Sequence, residues 1–168
     1  FSSTGQFDVE GNAMSLLYGD DFEGQTNLTG KDYAFRNLFS NCTGMTSAEN
    51  MSLPATTLAT YCYQGMFYGC SSLTTAPALP ATTLANNCYI SMFSYCTSLT
   101  TAPALPATTL ANGCYNQMFS NCARLTTAPA LPATTLAESC YGYMFYNSRR
   151  LNSITCNATN ISANSCTF

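Results

Sequence analysis

Histidine and tryptophan are absent from the 168-residue chain, and charge is scarce. Charged side chains make up 8% of the residues, against about 25% in ordinary globular chains. Without histidine, Ser-His-Asp and Cys-His catalysis and most catalytic zinc sites are excluded. Five basic against eight acidic residues give a net charge of −3, so the basic face that an electrostatic nucleic-acid binder needs is missing. No apolar run approaches the ~18 residues of a membrane span, so this segment is expected not to cross a bilayer. The opening Phe1-Ser2-Ser3-Thr4-Gly5 has neither the basic nor the apolar part of an export signal. With the abrupt end on Phe168, this reads as a segment of a longer or processed protein. Hydrophobic residues still reach 46%, enough for one domain with a sizeable core.

What the chain has in quantity is itself. Leu53-Pro54-Ala55-Thr56-Thr57-Leu58-Ala59 recurs at Leu79, Leu105 and Leu131, 26 residues apart each time. The unit reads L-P-A-T-T-L-A-x-x-C-Y-x-x-M-F-x-x-C-x-x-L-T-T-A-P-A. A degraded copy precedes it, in which Tyr33, Ala34, Leu38, Phe39, Cys42 and Met45 match Tyr61, Cys62, Met66, Phe67, Cys70 and Leu73 at an offset of 28. The last copy loses its second cysteine at Ser148 and ends on Arg149-Arg150. Self-similarity at such a period marks a stack of supersecondary units, here about five coils.

Within a unit, Ala59, Cys62, Tyr63, Met66, Phe67 and Cys70 fall at i, i+3, i+4, i+7, i+8 and i+11. That spacing predicts the apolar stripe of a three-turn helix, with Thr56 or Thr57 as its N-cap. Polar residues between them, such as Thr60, Tyr61, Asn86, Asn87, Asn112, Gly113, Glu138 and Ser139, are expected to face water. Leu73-Thr74-Thr75-Ala76 suits a short strand that Pro77 ends. The expected fold is α/β: a solenoid with one short parallel strand and one short helix per 26-residue coil. Met66, Phe67, Cys70 and Leu73, with their copies, are the expected core.

The segment Phe67-Tyr68-Gly69-Cys70-Ser71-Ser72-Leu73, repeated at Phe93 to Leu99 and Phe119 to Leu125, resembles the bacterial BspA-like branch of the leucine-rich repeats. The resemblance covers residues 33–155. It implies an extracellular protein, displayed on a bacterial surface or a phage virion, that serves as an adhesin or ligand-binding scaffold. The implied partner is a protein or glycan on a host or neighbouring cell.

Terminal units of a stack must cover apolar ends. Residues 1–32 read as a β-rich N-terminal cap, with Phe7-Asp8-Val9-Glu10 alternating and Met14-Ser15-Leu16-Leu17-Tyr18 as its apolar cover. Residues 33–151 are the solenoid, and 152–168 a cap strand with a tail.

Ten cysteines invite three chemistries. Two columns stand out: Cys62, Cys88, Cys114 and Cys140, and Cys42, Cys70, Cys96 and Cys122. On helices, ligands eight residues apart would not converge on a metal. Helix axes about 8–10 Å apart would hold neighbouring columns beyond disulfide reach. Buried thiols packing as small apolar groups are the expectation, with Cys156 and Cys166 a separate candidate pair. Asp20, Asp21 and Glu23 lack the spacing of a calcium loop and read as a solvated turn. Asn27, Asn41, Asn50, Asn157 and Asn160 open N-x-S/T sequons that a threonine-rich chain produces by chance. The ladder Thr74, Thr100 and Thr126 would suit an ice-binding face, but Pro and Ala interrupt it and strand propensity explains it.

Between Arg36 and Arg149 the charged residues are Glu49, Arg124 and Glu138, on different coils. No titratable cluster forms, so no catalytic, cofactor-binding or metal-binding residue is assigned and the chain is read as a non-enzyme. Differences between copies fall at Tyr68, Ile90, Tyr95, Gln117, Arg124, Tyr143, Tyr146, Arg149 and Arg150. Tyr68, Tyr95, Arg124, Tyr143, Tyr146, Arg149 and Arg150 form the candidate contact surface, since exposed Tyr and Arg suit binding. A spacer in a fibre or phage tail, assembling with copies of itself and binding nothing else, is the alternative.

Overall fold

Backbone hydrogen bonds in the repeated stretches alternate between two directions. In 61–69, the amides of Tyr61, Tyr63, Gly65, Phe67 and Gly69 donate to the carbonyls of Asn86, Cys88, Ile90, Met92 and Ser94 on the following coil. The residues between them, Cys62, Gln64, Met66 and Tyr68, donate three residues back within their own coil, to Ala59, Tyr61, Tyr63 and Gly65. The pattern recurs in the coils beginning at Tyr33, Asn87 and Gly113. Each run is therefore a chain of overlapping β-turns whose every second amide joins a parallel ladder. The computed structural model describes residues 5–165.

This corrects the expected helix in each coil. Among the described residues the α-helix is confined to Ser15–Tyr18 (α1), followed by a 3₁₀ turn at Gly19–Phe22. The 59–70 run and its copies are turns. Two physical features separate them from a helix. Their apolar pairs Cys62-Tyr63 and Met66-Phe67 recur every four residues, whereas a helix repeats at 3.6 and drifts about 40° per four-residue step. Their backbone also enters the left-handed region every fourth residue: Tyr61, Gly65 and Gly69, then Asn87, Ser91 and Tyr95, then Gly113, Gln117 and Asn121, then Ser139, Tyr143 and Asn147. A helix has no such residues, and its i→i−4 bonding would leave no amide for the neighbouring coil.

The parallel pairing is present, in short pieces. Phe7–Asp8 (β1) pairs with Met45–Ser47 (β3), and Gly11–Asn12 (β2) with Met51–Ser52 (β4), both parallel. Single parallel bridges join Asn27 to Thr57, Thr57 to Thr83, Ser47 to Thr75 and Thr101 to Thr127. At the far end, Leu131 bridges to Cys156 and Thr135 to Asn160. Between Pro77 and Ala81 the backbone makes no coil-to-coil bond, and Pro77 and Pro80 bring no donor to one. The threonine hydroxyls are used locally. Thr74 Oγ1 donates to the Thr46 carbonyl (2.9 Å) and Thr126 Oγ1 to that of Thr100 (3.2 Å), so two hydroxyls of that ladder are spent within the stack.

The interior is built of columns. Met66, Phe67, Cys70 and Leu73 are fully buried, as are their copies from Met92 to Leu125. Phe39, Phe67, Phe93, Phe119 and Phe145 stack with centroids 5.4–5.9 Å apart. Phe35, Tyr63, Tyr89, Tyr115 and Tyr141 form a second stack at 5.4–6.0 Å. Burial of each large ring contributes about 1.5–3 kcal/mol to holding neighbouring coils together.

Candidate functional site

The cysteine columns hold the side chains with the greatest intrinsic nucleophilicity in the chain. All eight columnar cysteines are buried thiols in the structure. The coils are joined by backbone ladder bonds, which set neighbouring backbones about 4.8 Å apart, so the helix-packing distance is not what keeps these sulfurs apart. In-register residues of a parallel stack point the same way, which holds Cβ atoms at about the coil spacing rather than the ~3.8 Å a disulfide needs. Nor are the thiols merely apolar. Cys70 Sγ donates to the Phe39 carbonyl, Cys96 to Phe67 and Cys122 to Phe93, each at 3.1 Å. Ser148, where the motif loses its cysteine, donates to Phe119 at 2.8 Å in the same way. The position requires a small buried donor, and sulfur or oxygen will serve. Burial pushes Cys62, Cys70, Cys114 and Cys122 up to about 12, and Cys88 and Cys96 well above the ordinary thiol range. Thiolates, the reactive form, are suppressed. Cys156 is exposed; its candidate partner Cys166 lies outside the described residues.

Among the described residues no three His, Cys, Asp or Glu side chains converge on a point that could hold a metal. Asp20 and Asp21 lie in the exposed 3₁₀ turn, with Glu23 just beyond it.

The candidate contact residues divide into two groups. Tyr68 is half-buried and lies against Tyr95 at 5.4 Å with planes tilted by 58°. Tyr143 and Tyr146, 62% and 56% exposed, meet edge to face at 6.2 Å. Coil four separates the groups with Gln117, Asn121 and the buried Ser120. Arg124, Arg149 and Arg150 are exposed. Arg149 Nη2 lies 3.5 Å from Asn147 Oδ1, and Asn147 Nδ2 donates to Asn121 Oδ1 at 3.1 Å. Contacts thus link Tyr143 with Tyr146 and Asn121, Asn147 and Arg149 with one another, while Arg124 and Arg150 share one row on the same two coils.

A third cluster was not singled out in the sequence. Tyr33 and Tyr61 stack in parallel at 5.0 Å, and the Arg36 guanidinium lies over Tyr33 at 5.5 Å. Its signal was the shared register of Tyr33 and Tyr61. The left-handed positions also explain much of the variation between copies. Asn87 lies over Gly113 of the next coil, Asn37 over Gly65 and Asn41 over Gly69, so a Cβ on any of these glycines would meet the asparagine Oδ1. Asparagine and glycine are the residues that tolerate this backbone. Gly113 is accordingly buried, and Tyr61, Asn87 and Ser139 are half-buried rather than fully in water. Tyr33, Tyr61, Tyr95 and Tyr143 occupy the same left-handed positions without that conformational excuse.

Compared with protein-family models, curated proteins and solved structures, the chain matches none. No helix among the described residues is long and apolar enough to cross a membrane.

Proposed function

We propose that this chain is a non-enzymatic extracellular repeat scaffold that binds protein or glycan ligands, a solenoid of the BspA-like leucine-rich-repeat kind in which turn-runs stand where helices are usual. The observation that carries the reading is the placement of tyrosine. One tyrosine column is sealed in the core, while Tyr33, Tyr95, Tyr143 and Tyr146 hold 47–62% of their surface in solvent. Three of those exposed rings, Tyr33, Tyr95 and Tyr143, sit at left-handed backbone positions that glycine would occupy at about 1–2 kcal/mol less and that asparagine also tolerates better. A locally unfavourable residue kept at the surface points to a use for its side chain. The buried thiols and phenols, held protonated by their surroundings, support the absence of covalent chemistry in the interior.

Near-identity of the coils favours a second reading, a structural spacer in a surface fibre or phage tail. The two are separated by presenting the full chain to a glycan array and to purified host-surface proteins. Saturable binding weakened by Tyr95→Asn or Tyr143→Asn supports the scaffold; binding to none of them supports the spacer.

A further inference from the structure

We propose that the corner formed by Arg124, Arg149 and Arg150, with Tyr143 and Tyr146 beside it, is a binding site for sugars that carry carboxylate or sulfate groups. The proposal rests on the binding-scaffold reading and names its ligand class.

Positive charge is concentrated at one place in the chain. The chain has five basic residues, and three of them lie at this corner. The other two are engaged: Lys31 lies over the Tyr18 ring at 5.4 Å and Arg36 over Tyr33 at 5.5 Å. No acidic side chain pairs with Arg124, Arg149 or Arg150 among the described residues. Six of the eight acidic residues fall within residues 1–32, at the opposite end of the stack. Glu138 opens the turn-run that Arg149 closes.

The register makes the cluster costly to the fold. Arg124 and Arg150 are 26 residues apart and occupy one row on adjacent coils. The same row carries Ser72 and Ser98 in the earlier coils. Like charges in register on adjacent coils repel, and no carboxylate pairs with them among the described residues. Serine at both places would remove the repulsion without changing the core. An anion that engages both guanidinium groups would remove it too, through paired N–H donors that match carboxylate and sulfate oxygens.

The neighbours narrow the anion to a sugar. Tyr143 and Tyr146 present exposed ring faces, on which the C–H faces of a pyranose can rest. Asn121 and Asn147, bonded to each other and with Asn147 beside Arg149, add amide groups suited to hydroxyls. A nucleic acid would need a longer basic track, and the remaining surface is acidic on balance.

The test titrates the full chain calorimetrically with four probes: a sulfated hexasaccharide, an oligouronate, a neutral oligosaccharide and an oligonucleotide of matched charge. Three variants are compared, each borrowing a residue from the same row of an earlier coil: Arg124→Ser with Arg150→Ser, Arg149→Thr, and Tyr146→Ser. The expected result is binding of the acidic sugars that falls at least tenfold in the double-arginine variant and weakens with salt. Tyr146→Ser should weaken the acidic sugars several-fold. Without ligand, the double-arginine variant should melt no lower than the parent, which shows that it folds. Acidic-sugar binding that is absent, or unmoved by the double-arginine change, overturns the proposal. Equal binding of the oligonucleotide, insensitive to Tyr146→Ser, also overturns it. Neutral-sugar or protein binding that survives all three variants would leave the scaffold reading standing while this site fails.

Discussion

Raising the pH should unfold this protein, and the thiol columns set the range. Cys62, Cys70, Cys114 and Cys122 are pushed by burial from 9 up to about 12, and Cys88 and Cys96 are raised in the same direction by the same cause. In the unfolded chain they titrate near 8.5–9. A folded-state value above the unfolded one means that the native state holds its proton longer. Its contribution is complete below about pH 9 and is lost as pH rises toward 12. At pH 10 the loss is about 1.4 kcal/mol per thiol, and about 8 kcal/mol for six acting independently. A domain has only about 5–15 kcal/mol in total. The buried phenols of Tyr63, Tyr89, Tyr115 and Tyr141, raised for the same reason, add to the loss above pH 10. Urea unfolding followed by circular dichroism at pH 7, 8, 9 and 10 should give a flat stability to pH 8 and a steepening fall thereafter. Cys96→Ser with Cys122→Ser removes two titrating groups and keeps both hydrogen bonds, so its curve should fall less steeply. Stability that is constant to pH 10 would refute the burial of these thiols.

Phe93→Ala removes a ring stacked on both sides, at 5.4 and 5.6 Å, and should cost about 3–5 kcal/mol by chemical denaturation; a loss below about 1 kcal/mol would place that face in solvent. Cys96→Ser should be neutral to within about 1 kcal/mol at pH 7, because Ser148 already fills the equivalent position; Cys96→Ala should destabilise more than Cys96→Ser. Gly113→Ala should cost about 1–2 kcal/mol from its left-handed backbone, and more from the meeting with Asn87. Asn87→Gly in the same chain should recover the second part, and a double-mutant cycle in thermal melting would show that coupling.

The coil and its core could be read from the sequence because identity at 26 residues leaves one way to stack the copies. The local conformation could not be read as easily. The pairs Cys62-Tyr63 and Met66-Phe67 fit a helical stripe over three turns, and the difference between a period of 4 and one of 3.6 is small over so short a span. The deciding signal lay in the polar residues between them. Gly65, Gly69, Asn87, Gly113, Asn121 and Asn147 fall on a four-residue grid, and Gly and Asn are the residues that enter left-handed backbone readily. Read as a water-facing helix surface, they conceal that grid. Read as turn residues, they give both the conformation and the ladder, since alternate amides in such a chain of turns are free to bond across coils.

The same grid sharpens what is left over as a contact surface, and Tyr143 is its clearest test. Its row carries Asn37, Gly65, Ser91 and Gln117 in the other coils. Tyr143 has φ of 52° and 62% of its surface exposed, so it gains little from packing in exchange for an unfavourable backbone. Tyr143→Asn should therefore stabilise the fold, by about 0.5–1 kcal/mol, since asparagine tolerates that region better. If the ring contacts ligand, the same change should weaken binding, and the two effects would have opposite signs. A thermal melt and a binding titration on one variant decide the matter. A higher melting temperature with weaker binding is the outcome expected of a residue kept for contact. A lower melting temperature would mean that the ring packs against coil five more than its exposure indicates, and the inference from strain to use would fall.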